Sequence, residues 1–121
     1  MENANIKGTG ITVAHIIEEL DCTLIAGKNG IDRSVESGFV GDLLSIVMGK
    51  AKADSVWITI QSHINIIAVA SLVDVSCVIV TEGYDVDQLA INRANEEDIA
   101  ILSTKLSSYE ITTKLYELGI K

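Results

Sequence analysis

The sequence predicts an α/β fold, a three-layer sandwich with a mostly parallel sheet of about five strands. Three observations carry this. The runs VWITI at 56–60 and CVIV at 77–80 are short, continuous and apolar, as strands buried on both faces are. Stretches with helical spacing stand between such runs, so strands and helices alternate in short units. Hydrophobic residues make up 48% of the 121, yet there is only one Trp, one Phe and three Tyr, so the core is Ile, Val, Leu and Ala. Right-handed crossovers then follow from chain chirality.

Residues 1–10 (MENANIKGTG) are polar and glycine-bearing and are expected to form a mobile leader to one domain at 11–121. Thr12 is placed to cap a helix reaching Leu20, with Val13, Ile16, Ile17 and Leu20 at i, i+3, i+4 and i+7 on one apolar face. His15 falls off that face and is expected in solvent. A first strand follows at 22–26, then the turn Gly27-Lys28-Asn29-Gly30, in which Asn29-Gly30 would supply the positive φ angles. The second strand is expected at 35–40, and Asp42 stands as N-cap of a helix at 43–51.

That helix carries Leu43, Leu44, Ile46, Val47 and Met48 and is apolar nearly all round, as is the segment 64–73. The Ile and Val of 64–73 favour a strand, but Ala68, Ala70, Ser71 and the need for a crossover favour a helix. A helix without a polar face must be covered on more than one side, so a homodimer burying part of one or both is expected. Further on, Asp85 and Gln88 have the spacing of a capping box, and Val86, Leu89, Ala90 and Arg93 share the next helix face. A last strand is expected at 99–102. Ser107 and Glu110 then form a capping box for a final helix that points Ile111, Leu115 and Leu118 inward, pairs Glu110 with Lys114, and stops at Gly119.

Charge and motifs exclude several functions. Nine basic against 17 acidic residues give a net charge of −8, which repels nucleic-acid backbones, so no nucleic-acid partner is expected. No apolar run approaches the roughly 20 residues that span a bilayer, so no membrane partner is expected either. Cys22 and Cys77 lie far apart, with no CxxC, and read as small buried hydrophobes of a cytoplasmic protein. No metal and no cofactor is expected. GxxxxGK[ST] is absent, so the chain is not a kinase by itself, and GxGxxG is absent too.

Ligands of open parallel sheets sit outside the carboxyl ends of the strands. Three polar clusters are expected there: Gln61, Ser62 and His63; Thr81, Glu82 and Gly83; and Thr104 and Lys105 with Ser107. His63 could act as a base only with an orienting partner and a nucleophile in reach; Ser62 is adjacent and Glu82 lies across the crevice, but no catalytic residue is assigned. Binding of a small anion suits the loops better, because helix N-termini attract negative charge, although Lys105 is their only cation. The plainer reading makes these residues helix caps.

The strand ends Ile58-Thr59-Ile60-Gln61-Ser62-His63 and Val80-Thr81-Glu82-Gly83 resemble the DRTGG domain family, and the order of elements does so from Ile11 to Lys121. That family takes its name from Asp-Arg after one buried strand and Thr-Gly-Gly after the next. Thr81 and Gly83 match; Glu82 replaces a glycine, and Ser62-His63 stand where Asp-Arg would be. Losing that Arg removes a fork for phosphate or carboxylate. Asp32-Arg33-Ser34 looks like the motif but precedes the second strand. The resemblance implies a fold similar to the amino-terminal domain of HPr kinase/phosphorylase, without kinase machinery. It also implies a regulatory or assembly role, commonly through dimerisation, and for stand-alone copies a setting beside hydrogenase-type redox genes. The expectation is therefore a non-catalytic regulatory or protein-interaction module, homodimeric and cytoplasmic. The alternative is a sensor of a small anionic metabolite or nucleotide at the strand ends.

Overall fold

In the computed structural model, which describes residues 8–121, the two apolar runs are neighbouring inner strands of one sheet. β3 (Ser55–Thr59) and β4 (Cys77–Val80) are buried at every position, as strands covered on both faces must be. With β1 (Thr23–Ala26), β2 (Ser37–Val40) and β5 (Ala100–Ser103) they form a five-stranded sheet in the order β1-β5-β4-β3-β2. β2, β3, β4 and β5 pair in parallel; β1 pairs antiparallel to β5, with Thr23 opposite Ser103 and a register shift between Leu24 and Ala26.

Side-chain alternation divides the core. Val56, Ile58, Cys77, Ile79 and Leu102 point to one face, where α1 (Val13–Glu19) and α5 (Ser108–Leu118) cover them with Val13, Ile16, Ile111 and Leu115. Trp57, Val78, Val80 and Ile101 point to the other, beneath α2 (Leu44–Lys50), α3 (Asn65–Val73) and α4 (Gln88–Glu97). Helices on both faces make the three layers that the alternating units predict. No helix among the described residues is long and apolar enough to cross a membrane.

Several local expectations are corrected. Residues 1–7 of the expected leader lie outside the described residues, while Thr9 is tied down by donating its hydroxyl to Val35 O at 2.7 Å. The second strand begins at Ser37, because Ser34 and Val35 pair instead with Thr12 and Ile11. The left-handed residue of the first turn is Gly27, at φ +75°, with a 3-10 turn at Lys28–Gly30; a Cβ on Gly27 would lie 1.9 Å from Ile99 O. Asp42 caps no helix: its Oδ1 accepts from Thr59 Oγ1 at 2.8 Å and Ile60 N at 2.9 Å, tying two strand ends together. Asp85 does not cap either. Asp87 precedes α4, its N–H held by Ser62 O, and Gln88 turns to Asn92. The buried face of α4 is Ala90 and Ala94, with Leu89 and Arg93 outside.

Two polar residues do more than expected. His15 completes a capping box, its Nδ1 accepting from Thr12 N at 3.0 Å while Thr12 Oγ1 accepts from His15 N. Arg33 donates to Asp54 Oδ1 and Asp74 Oδ1, both at 2.9 Å, and to the carbonyls of Asp74 and Val75. It thereby clamps the loops that lead into β3 and β4. The Ser107–Glu110 box forms as expected.

The two all-apolar helices differ in how much they hide. α3 buries Ile66, Ile67, Val69 and Ala70 and exposes Leu72 at 72%. α2 buries only Val47; Leu43 before it is 64% exposed, Ile46 44% and Met48 46%.

Candidate functional site

The loops after β3, β4 and β5 are built from small polar residues that close on one another. After β3, Gln61 N donates to Thr59 Oγ1 and Gln61 Nε2 to Asp42 O at 2.8 Å. Ser62 O accepts from Asp87 N. His63 is exposed, and its Nδ1 accepts from Asn65 N at 3.2 Å, serving the first turn of α3. This cluster is therefore engaged with Asp42, Asp87 and its own helix.

After β4 the chain turns through two left-handed residues, Glu82 at φ +64° and Gly83 at φ +74°. Glu82 thus occupies a conformation in which a side chain is costly and glycine is free. The turn is closed by Glu82 N to Leu106 O and Gly83 N to Thr104 O. The buried Thr81 hydroxyl shares a 2.6 Å hydrogen bond with Ser108 Oγ, and Glu82 Oε2 accepts from Ser108 N. After β5, Thr104 Oγ1 donates to Asp21 O at 2.7 Å and accepts from Leu106 N. Ser107 and Glu110 cap α5, and the two Ser107 donors hold the Glu110 carboxyl below the ordinary glutamate range. Thr81, Glu82, Gly83 and Thr104 therefore belong to one hydrogen-bonded assembly with Leu106 and Ser108; Gln61 reaches it only through Thr59, whose carbonyl accepts from Thr81 N, and Ser62 and His63 show no hydrogen bond to it among the described residues.

A cavity of about 320 Å³ opens beside this assembly. Asp21, Thr23, Gly83, Tyr84, Asp85, Ser103, Thr104 and Lys105 line it. It contains three of the expected residues, Gly83, Thr104 and Lys105, and none of Gln61, Ser62 or His63. Tyr84, Asp85 and Ser103 are neighbours of these in the chain, whereas Asp21 and Thr23 come from its other end through the antiparallel β1, and no local pattern in the sequence points to them. The cavity sets two carboxylates, Asp21 and Asp85, against the Lys105 ammonium, a balance that disfavours an anion.

His63, Ser62 and Glu82 make separate hydrogen bonds and show none to one another among the described residues. The thiols are protonated at neutral pH: burial, and then Asp21, push Cys22 up to about 11, and full burial pushes Cys77 higher. Among the described residues, no cluster of three or more His, Cys, Asp or Glu could hold a metal ion.

A crystal structure of the CBS and DRTGG domains of the regulatory region of Clostridium perfringens pyrophosphatase, complexed with its activator diadenosine tetraphosphate, is similar, with a TM-score of 0.73. The identity is 14%, and the match covers 98% of this chain and 52% of that one, so this chain spans about half of its length. At that identity the likeness shows the shared α/β fold. No curated protein matches the sequence. The DRTGG domain family matches residues 15–118, from within α1 to the end of α5. A match over so much of the chain, with the same fold in a solved member, makes this chain a member of the DRTGG domain family.

Proposed function

We propose that the chain is a non-catalytic regulatory module that works as a homodimer, with a second copy covering the outward face of α2 and α3. One observation supports this above the others. Lys50 is the only charged residue in either helix, whereas α4 carries Arg93, Glu96 and Glu97 and α5 carries Glu110, Lys114 and Glu117. A solvent-facing helix surface with a single charge at its end, presenting Leu43, Ile46, Met48 and Leu72, has the character of an interface core. A two-fold pairing lets that one patch cover its own copy. The strand-end loops support the non-catalytic half of the reading, since their polar groups serve the turns and caps. The free thiols of Cys22 and Cys77 fit a cytoplasmic setting. The link to redox metabolism rests on the family resemblance and involves no particular residue.

Sedimentation velocity tests the reading. Wild type is expected as a dimer, and Met48→Glu as a folded monomer, because Met48 is half-exposed in a single copy. A dimer that persists in both Met48→Glu and Ile46→Glu would sink the proposed interface.

A second reading is a sensor of a small anionic metabolite or nucleotide. It draws support from the related regulatory region, which was crystallised with diadenosine tetraphosphate. A ligand at 100 times its dissociation constant adds about 2.7 kcal/mol to stability, so thermal unfolding against nucleotides and small carboxylates tests it. A flat panel would remove this reading and leave the first untouched.

A further inference from the structure

We infer that a cavity at the start of β2 binds a small molecule bearing clustered phosphate groups, held by Lys50, Lys52 and Lys121. The cavity is about 240 Å³ and is lined by these three lysines with Ser37, Gly38 and Phe39. It lies at the end of the sheet opposite the predicted strand-end crevice.

Topology gathers the lysines. The crossover helix α2 runs against the direction of its strands, and α5, which follows the last parallel strand, runs back the same way, so both end where the parallel strands begin. Lys50 is the last residue of α2, Lys52 follows it in the loop to β3, and Lys121 follows α5. Lys121 is further positioned by Tyr116, whose ring centroid lies 5.2 Å from its Nζ.

Charge makes the arrangement unusual. The chain has nine basic residues and a net charge of −8, yet three of the nine line this one cavity, and no Asp or Glu side chain lines it. Among the described residues none of the three is ion-paired, whereas Arg33 and Arg93 both are. Lys50 alone would be accounted for by the negative end of the α2 dipole. Three ammonium groups around one concavity repel one another and are stabilised together by an anion of high charge density. Phosphate suits them, since Lys binds it as a point charge and needs no bidentate geometry. The site does not depend on the homodimer.

Calorimetric titration with sodium tripolyphosphate tests this. Wild type is expected to bind, more weakly as salt rises. Lys50→Ala with Lys52→Ala should weaken binding by roughly tenfold or more, since two charge-assisted contacts are lost. Both lysines are exposed, so the unfolding midpoint without ligand should not move, which separates a lost site from a lost fold. Lys105→Ala, at the other end of the sheet, should change affinity little. Absence of binding to wild type, equal binding by the double variant, or loss of binding in Lys105→Ala would each overturn the inference.

Discussion

The strand-end loops and the α2–α3 face invert what their compositions suggest. The loops are rich in Ser, Thr, Gln, His and Glu, the vocabulary of a binding site, and they spend those groups on each other: Thr81 on Ser108, Glu82 on Ser108, Thr104 on Asp21, Gln61 on Asp42. The helices are written in Leu, Ile, Val and Met, the vocabulary of a core, and α2 leaves most of its side chains in solvent. Residue type reports what a side chain is able to do. Whether it is free to do so depends on which neighbours the topology delivers.

The contrast can be broken most severely within the apolar face. Val69 and Met48 sit in adjacent helices, but Val69 is 5% exposed and Met48 46%. Val69→Glu should cost at least about 3 kcal/mol in denaturant unfolding, the penalty of an unpaired charge in the core. Met48→Glu should leave the monomer's stability almost unchanged. Comparable losses in the two would mean that α2 is as closed as α3.

Next in size is the closed side. Thr81→Val removes one partner of the 2.6 Å bond to Ser108 and should cost about 1–2 kcal/mol in the same measurement. If Thr81→Val combined with Ser108→Ala costs no more than either alone, the bond itself is the source.

A smaller effect comes from Gly49, where an added Cβ would meet nothing within 4 Å. Gly49→Ala should stabilise an isolated monomer by up to about 1 kcal/mol through helix propensity. In a dimer packed on this face, the methyl should instead weaken association in sedimentation. Stabilisation with unchanged association would place the interface elsewhere.

The smallest is a pH effect. The Glu110 carboxyl is held low in the fold by Ser107, first by its backbone N–H and then by its hydroxyl. A depressed acid contributes its stability fully above the unfolded glutamate value of about 4.3 and loses it as pH falls through the lower folded value. Glu110→Gln keeps a side chain able to complete the box but removes the titration. Its stability should therefore fall less steeply below about pH 4 than that of wild type.

The fold was largely legible because burial on both faces leaves an unmistakable trace: VWIT and CVIV lack the polar alternation of any half-exposed strand. The layers followed, and so did the Ser107–Glu110 box at α5 and the Thr12 cap of α1, but not the part His15 plays in that cap. Asp42 was misread because an Asp before a helical segment can cap the helix or tie two strand ends, and its partners Thr59 and Ile60 lie too far along the chain to be seen in its own window. Asp85 was misread because the loop from Gly83 to Asp87 runs on toward Ser62 before α4 begins. The strand-end cavity was half legible: Gly83, Thr104 and Lys105 follow strands, but Asp21 and Thr23 reach it only because β1 runs backwards beside β5. The lysine cavity was not legible, since Lys121 comes near Lys50 and Lys52 only because helices on opposite faces of the sheet both end beside the start of β2.

That backward strand also bears on how the molecule is made. The three parallel pairings join strands that are consecutive in the chain, each across one crossover, whereas Thr23 must find Ser103. Closing so long a loop is the largest entropic step of the topology. A chain leaving the ribosome would hold β1 without a partner until nearly all of the domain had emerged, while β2, β3 and β4 could already assemble. The first strand synthesised is therefore the one whose partner is made last.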